Sequence, residues 1–143
     1  MSLVQYVYST TNKRWMTPEK GVRLSIRSVD ICDRLGITGR VFSTQFHALS
    51  MMEGPAEVMR QYFDAVGNKT PHIDTIVLQS VRDIEAREFD NYSVWLDLDY
   101  DFAPHPRVHP MTLSSLSQAM PPAPSIRLQI MLEAFFEKGR LVS

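Results

Sequence analysis

The chain has a single cysteine, Cys32, among 143 residues. One thiol excludes an internal disulfide and fits a reducing compartment. No apolar run reaches the roughly 18 residues that a membrane-crossing helix needs. The N-terminus has no basic stretch followed by a long apolar one, so no signal peptide is read. Charge of one sign is also lacking: 15 Lys and Arg stand against 16 Asp and Glu, a net charge of -1. The basic residues are scattered, and none of the stretches has the density of a phosphate-tracking groove. Neither nucleic acid nor an anionic membrane is therefore expected as a partner. The four histidines, His47, His72, His105 and His109, lack tight helical ligand spacing, and two of them flank prolines, so no metal site is expected. These absences point to a cytoplasmic protein, and near-neutrality weakly favours self-association.

What is present is a foldable chain, with 44% apolar residues. Its length suits one domain and an appendage. LVQYVYS (3–9) reads as a strand, with Val4, Tyr6 and Tyr8 on one face and Leu3, Gln5 and Val7 on the other. Thr17-Pro18-Glu19 is a helix start, an N-cap followed by proline and an acid in the first turn. That helix is expected to run to about Leu35 and to stop at Gly36. ITGRVFS and QFHALSMM read as two further strands. Gly54-Pro55 is expected to open a second helix, whose apolar stripe is Val58, Met59, Tyr62, Phe63 and Val66, ending at Gly67. IDTIVLQS is a fourth strand, RDIEAREFDN a polar connection, and YSVWLDLDY (92–100) a fifth strand with one drier and one wetter side.

FAPHPRVHP marks a boundary that no helix crosses. Beyond it, Leu113–Met120 and Ser125–Lys138 are expected as helices, the second apolar enough to need a cover. The fold class is therefore α+β: a ferredoxin-like β-α-β-β-α-β core with a fifth strand and two C-terminal helices. The division expected is a domain over residues 1–101 and an extension over 102–143, packed on the sheet or on a neighbouring subunit.

Several residues in this order resemble a known family. The Leu3–Ser9 strand with Tyr8, the helix ending in Leu35-Gly36-Ile37-Thr38-Gly39, the Leu49 strand running into Glu53-Gly54, His72, and Arg87 and Phe89 before the fifth strand together resemble the BLUF domain, the flavin-binding blue-light sensor of bacteria. The resemblance covers about residues 2–100. It implies a ferredoxin-like sheet with FAD between the two core helices. It also implies light sensing by a tyrosine and a glutamine beside the flavin ring.

Residue by residue, the resemblance makes Tyr8 the tyrosine and puts Ser50 where the glutamine belongs. The flavin-binding asparagine pair falls on Ile31 and Cys32, and the tryptophan and methionine of the fifth strand fall on Tyr92 and Val94. The arginine before His72 is replaced by Pro71. Arg27, Arg34 and Arg60 lie on the helices that would flank a ligand, and are read either as phosphate contacts or as a solvated helix face. A serine hydroxyl on a short arm cannot bridge and re-pair as a carboxamide does. Isoleucine cannot grip a ring carbonyl and N–H together, and each polar atom left unpaired costs about 1–3 kcal/mol. The expectation is a sensory or regulatory module without the usual Tyr–Gln photoswitch. It would act through protein contacts, as a homo-oligomer or with a signalling partner, without catalysis. The alternative is an FAD-binding blue-light photoreceptor with an atypical pocket.

Overall fold

The computed structural model describes residues 2–12, 17–44, 47–69, 73–97 and 102–111. Thr17 caps the first helix through its side chain, which accepts from the Lys20 N–H, with Pro18 beside it at the first turn. The helix, α1 (Pro18–Leu35), ends where Gly36 takes a left-handed conformation, φ 72°. The Ile37 N–H returns to the Cys32 carbonyl at 2.9 Å, closing the last turn. Around it lie β1 (Leu3–Asn12), β2 (Thr38–Ser43), β3 (His47–Pro55), α2 (Ala56–Lys69), β4 (Ile73–Ile84), β5 (Tyr92–Leu96) and β6 (Val108–Pro110).

The strands form one sheet in the order β4-β1-β3-β2-β5-β6. The first four strands pair antiparallel, as a ferredoxin-like core requires, whereas β5 joins β2 and β6 joins β5 in parallel. Alternation then assigns the faces. Val4, Tyr8, Met52, Tyr92, Val94 and Leu96 share a core with Val22, Val29 and Cys32 of α1 and Met59 of α2. On the far face, Gln5, Val7, Arg40, Phe42, Met51, Glu53 and Trp95 are also buried. There Phe42 stacks on Trp95 at 5.6 Å and Trp95 on His109 at 4.7 Å.

The structure corrects the expected architecture in four places. Gly54 and Pro55 end β3 instead of opening α2, because both still pair with β1, Gly54 opposite Val4 and Pro55 opposite Leu3. The fourth strand runs on to Ile84 through part of the supposed connection, since β1 offers pairing partners as far as Leu3. The wetter side of β5 is not wet: all five of its residues are buried, Ser93 and Trp95 included. Most consequential, the expected fold class is corrected among the described residues. The described residues contain only α1 and α2, and the chain past residue 101 contributes a sixth strand. The prolines forbid helix there, while the edge of β5 offers unpaired backbone groups. Val94 N–H bonds Arg107 O and Met111 N–H bonds Leu96 O, both at 2.9 Å. The expected helices at 113–120 and 125–138 lie outside the described residues, as does His72.

Two glycines test this architecture. At Gly39 a Cβ would lie 2.2 Å from the Met51 carbonyl oxygen, so the β2–β3 ladder would have to open. At Gly36 a Cβ would meet nothing within 4 Å, and only the left-handed backbone opposes it. Gly36→Ala should lower unfolding free energy by about 1 kcal/mol and Gly39→Ala by about 3 kcal/mol. Urea unfolding measures both, and equal losses would contradict the steric account.

Candidate functional site: a phenol and thiol cluster under two helices

α1 packs on β5 and β6, and α2 on β3 and β1, so the helices straddle the middle of the sheet. Tyr8 of β1 stands directly opposite Ser50 of β3 in the antiparallel register. The Tyr8 hydroxyl donates to Met52 Sδ at 3.3 Å, and the Ser50 hydroxyl acts to lower the phenol's pKa, against the larger effect of burial. The ring meets Phe63 of α2 edge-on, with centroids 5.1 Å apart. Burial is the main reason the Tyr8 phenol is pushed up to about 12 from its ordinary 10.0. The phenol is therefore neutral across the physiological range.

Beside it, Cys32 of α1 is fully buried. Burial pushes its thiol up to about 12, against the opposing influence of the nearby Tyr62 of α2 and Tyr92 of β5. Burial raises the phenols of Tyr62 and Tyr92 as well. A helix, a second helix and three strands thus bring together hydroxyls, a thiol and a thioether. This donor set suits the polar edge and flat face of an aromatic heterocycle.

The structure gathers Tyr8, Ser50, Cys32, Tyr92 and Val94 of the expected site residues at the helix face. It leaves the others outside this cluster. Ile31 is 38% exposed. Arg27 and Arg34 are exposed on α1. Arg60 is exposed on α2 and pairs with Glu57 at 2.5 Å and Asp64 at 3.5 Å. Tyr62 was read only as part of an apolar stripe. Its hydroxyl was the available signal, because a buried phenol requires a partner.

Under the sheet, Glu53 is fully buried and holds the neighbouring elements together. Its carboxylate accepts from Thr38 Oγ1 at 3.1 Å, Gln5 Nε2 at 3.4 Å, and the backbone N–H groups of Glu88 at 3.1 Å and Phe89 at 2.8 Å. Gln5 also accepts from Arg82 and donates to Glu88. Just beyond, Arg40 lies against the Phe89 and Trp95 rings and donates to Asp90 and Asn91. The loop before β5 is therefore held from beneath, and with it the start of the strand that carries Tyr92. Among the described residues, no group of three or more His, Cys, Asp or Glu could hold a metal. No helix among them is long and apolar enough to cross a membrane.

The architecture is a small α+β domain with two helices packed on one face of a ferredoxin-like sheet. The BLUF family model, described as sensors of blue light using FAD, matches residues 3–95, and the chain belongs to that family. It is a family of sensors, not of catalysts. No curated protein is significantly similar to the chain. Among solved structures, the BLUF protein BlrB in its dark state is 25% identical over 66% of this chain and 71% of that one, with a TM-score of 0.59. Klebsiella pneumoniae BlrP1 with FMN and cyclic diGMP is 16% identical, covering 96% of this chain and 35% of that one, with a TM-score of 0.71. A bacterial light-regulated adenylyl cyclase is 16% identical, covering 98% and 35%, with a TM-score of 0.62. These last two share the fold, and this chain spans about a third of their length.

The expectation of a module that has lost its photoswitch and works through protein contacts alone is corrected by these findings. Both residue types of the switch are present and engaged on β1. Tyr8 is buried and bonded on the helix face, and Gln5 is buried and bonded on the opposite face. The family matched over residues 3–95 senses light with FAD. The expectation rests on residue types at Ser50, Ile31, Cys32, Tyr92, Val94 and Pro71, and a sequence shows neither the bond of Tyr8 nor the burial of Gln5.

Two outcomes check the site. Glu53→Ala leaves two backbone N–H groups and the Thr38 hydroxyl without their acceptor, and should cost about 3 kcal/mol in urea unfolding. The second concerns alkali. The folded-state values of Tyr8 and Cys32 lie above their ordinary 10.0 and 9.0. Each contribution is complete below the ordinary value and is lost as pH rises to about 12. The unfolding midpoint should fall across that window, with phenolate absorbance lagging that of free tyrosine. A flat midpoint would show that the two groups are not buried.

Proposed function

We propose that this chain is a blue-light photoreceptor that binds FAD through an atypical pocket at the α1–α2 cleft. The observation that carries the reading is Tyr8: a buried, protonated phenol on the sheet's helix face, bonded to a thioether with a serine directly across from it. Cys32 and Tyr92, in the same buried core, are polar groups that can meet the ring edge, with Val94 supplying apolar contact. Bound flavin supplies a light-driven acceptor for one electron and one proton.

The chain's own residues do the rest. Burial keeps the Tyr8 proton in place in the dark. A thioether is a weak acceptor, so the Tyr8 hydroxyl is cheaply turned away from Met52. When that proton leaves, the Ser50 hydroxyl is the adjacent donor that stabilises the phenol oxygen. Ser50 and Met52 both lie on β3, three and one residues before Glu53. A change in their bonding therefore reaches the clamp under the sheet and the loop before β5. From there the signal would pass to a signalling protein or a second copy of the chain. Residues 1–101 form the sensing unit of this proposal and residues 102–143 its extension. The fold shared with a light-regulated cyclase supports such coupling.

The test is spectroscopic. The purified chain, or the chain given FAD, should hold a yellow cofactor through gel filtration and shift its absorbance reversibly under blue light. Tyr8→Phe should keep the cofactor and lose about tenfold or more of the light response, the scale of one removed proton donor. Ser50→Gln should strengthen or speed the response. Protein that neither retains nor quenches FAD would end the proposal, and a full response in Tyr8→Phe would remove Tyr8 from it.

A further inference from the structure

We propose that Arg107 and Asp33 form a clasp that straps the chain before β6 onto the last turn of α1, and that Arg107 is thereby a positioning residue for the α1 wall that meets the cofactor. This deepens the proposed function and, for the cofactor, rests on it. The two residues lie 74 positions apart. Arg107 Nη1 donates to Asp33 Oδ1 at 2.7 Å and Nη2 to Asp33 Oδ2, so the guanidinium fork meets both oxygens of the carboxylate. Local structure aims the arginine. His105 and Val108 bridge across the tight turn Pro106-Arg107, and proline presets the backbone there. The Arg107 N–H donates to His105 Nδ1 at 3.1 Å, and its carbonyl accepts from the Val94 N–H at 2.9 Å. With the backbone tied to its own turn and to β5, the side chain reaches across to α1.

Asp33 is poorly placed for its own helix, because a carboxylate in the last turn faces the negative end of the helix dipole. Arg107 sets a cation against it. Asp33 also follows Cys32 directly, and its carbonyl accepts from the Gly36 N–H at 3.3 Å in the turn that closes α1. On the other side of the clasp, Val108 is buried in the same core as Cys32, Val29 and Val94. Lifting the strap therefore loosens the turn that carries Cys32. The fastened and lifted forms are two states, and a ligand that needs Cys32 in place selects the first. The side chains of Arg107 and Asp33 are 23% and 42% exposed, so the bias from the ion pair is modest and sensitive to salt.

Trypsin reads the clasp directly, because it cuts after Arg107 only when that side chain is released into the protease. The cut between Arg107 and Val108 in the full chain, followed by mass spectrometry and scaled to a small peptide substrate, tracks the lifted fraction. Asp33→Asn should speed it about three- to fivefold. Raising NaCl from about 0.1 M to about 1 M should speed it in the parent and leave Asp33→Asn nearly unchanged. Asp33→Glu, which keeps the carboxylate, should bring the rate back toward the parent's. The cut after Arg60 in α2 should not quicken in any variant, which separates strap lifting from global loosening. An Arg107 cut that is unchanged or slower in Asp33→Asn overturns the clasp. FAD is the readout that a merely structural ion pair would not move. At about ten times its dissociation constant, FAD should slow the Arg107 cut about tenfold, the limit reached when only the fastened form binds. FAD that binds and slows the cut less than about twofold removes Arg107 from cofactor positioning and leaves the photoreceptor reading intact. If the chain takes up no FAD, the proposed function falls and the positioning role with it, while the flavin-free rates still decide the clasp.

Discussion

The buried carboxylate of Glu53 is the interaction on which the geometry of the cleft depends. It sits near the end of β3 and accepts from β1 through Gln5, from β2 through Thr38, and from the loop before β5 through two backbone N–H groups. A charge with no exposure is tolerable only when its lone pairs are filled, and here four donors fill them. Arg87 reinforces the same point by donating to Thr38 and to the Glu53 carbonyl. Parallel pairing of β5 with β2 follows, and Tyr92 is delivered opposite Gly39 on the helix face. Gly39 itself has no room for a side chain because β3 passes against it. The clamp under the sheet and the close approach above it are two sides of one constraint.

On the helix face the chemistry differs from that of amide-lined pockets. The groups that converge are phenols, a thiol, a serine and a thioether. Each phenol is both donor and acceptor, and burial favours its neutral form. Such a cluster is sensitive to the loss or gain of one proton, because any change leaves a neighbour without its partner in a low-dielectric setting. Met52 matters here because it holds Tyr8 only weakly. Ser50 matters because it stands directly across from Tyr8 and is short enough to stay within the floor of the cleft. The connection to the far face is equally direct. Strand alternation places Ser50 and Met52 above the sheet and Met51 and Glu53 below it, so one strand touches both the phenol and the clamp.

Much of this was legible in the chain itself. Thr17, Pro18 and Gly36 bound α1 at both ends through local chemistry that needs no tertiary partner: a side-chain cap, a fixed φ and a left-handed terminus. Alternation placed Tyr8 and Val4 on one face of β1, and the element order specified the antiparallel core. The Gly36–Gly39 and Glu53-Gly54 stretches, in that order, pointed to the family. The end of β3 was misjudged because Gly-Pro suits both a helix start and a strand end, and only pairing with Leu3 and Val4 decides between them. β6 was missed because three residues amid prolines carry no periodic signal. Their strand character comes entirely from the backbone groups that β5 leaves open.

The sequence by itself determined both ends of α1, the order of the core elements and the face of β1 that carries Tyr8, because capping, periodicity and alternation act over a few residues. Tertiary structure alone decided that Ile31 turns outward while Cys32 turns in. It also decided that Tyr62 and Tyr92 come near that thiol from two other elements, and that Glu53 and Gln5 lie paired beneath the sheet. Those outcomes are contacts between residues 30 to 60 positions apart, and their partners exist only once the strands have taken their register.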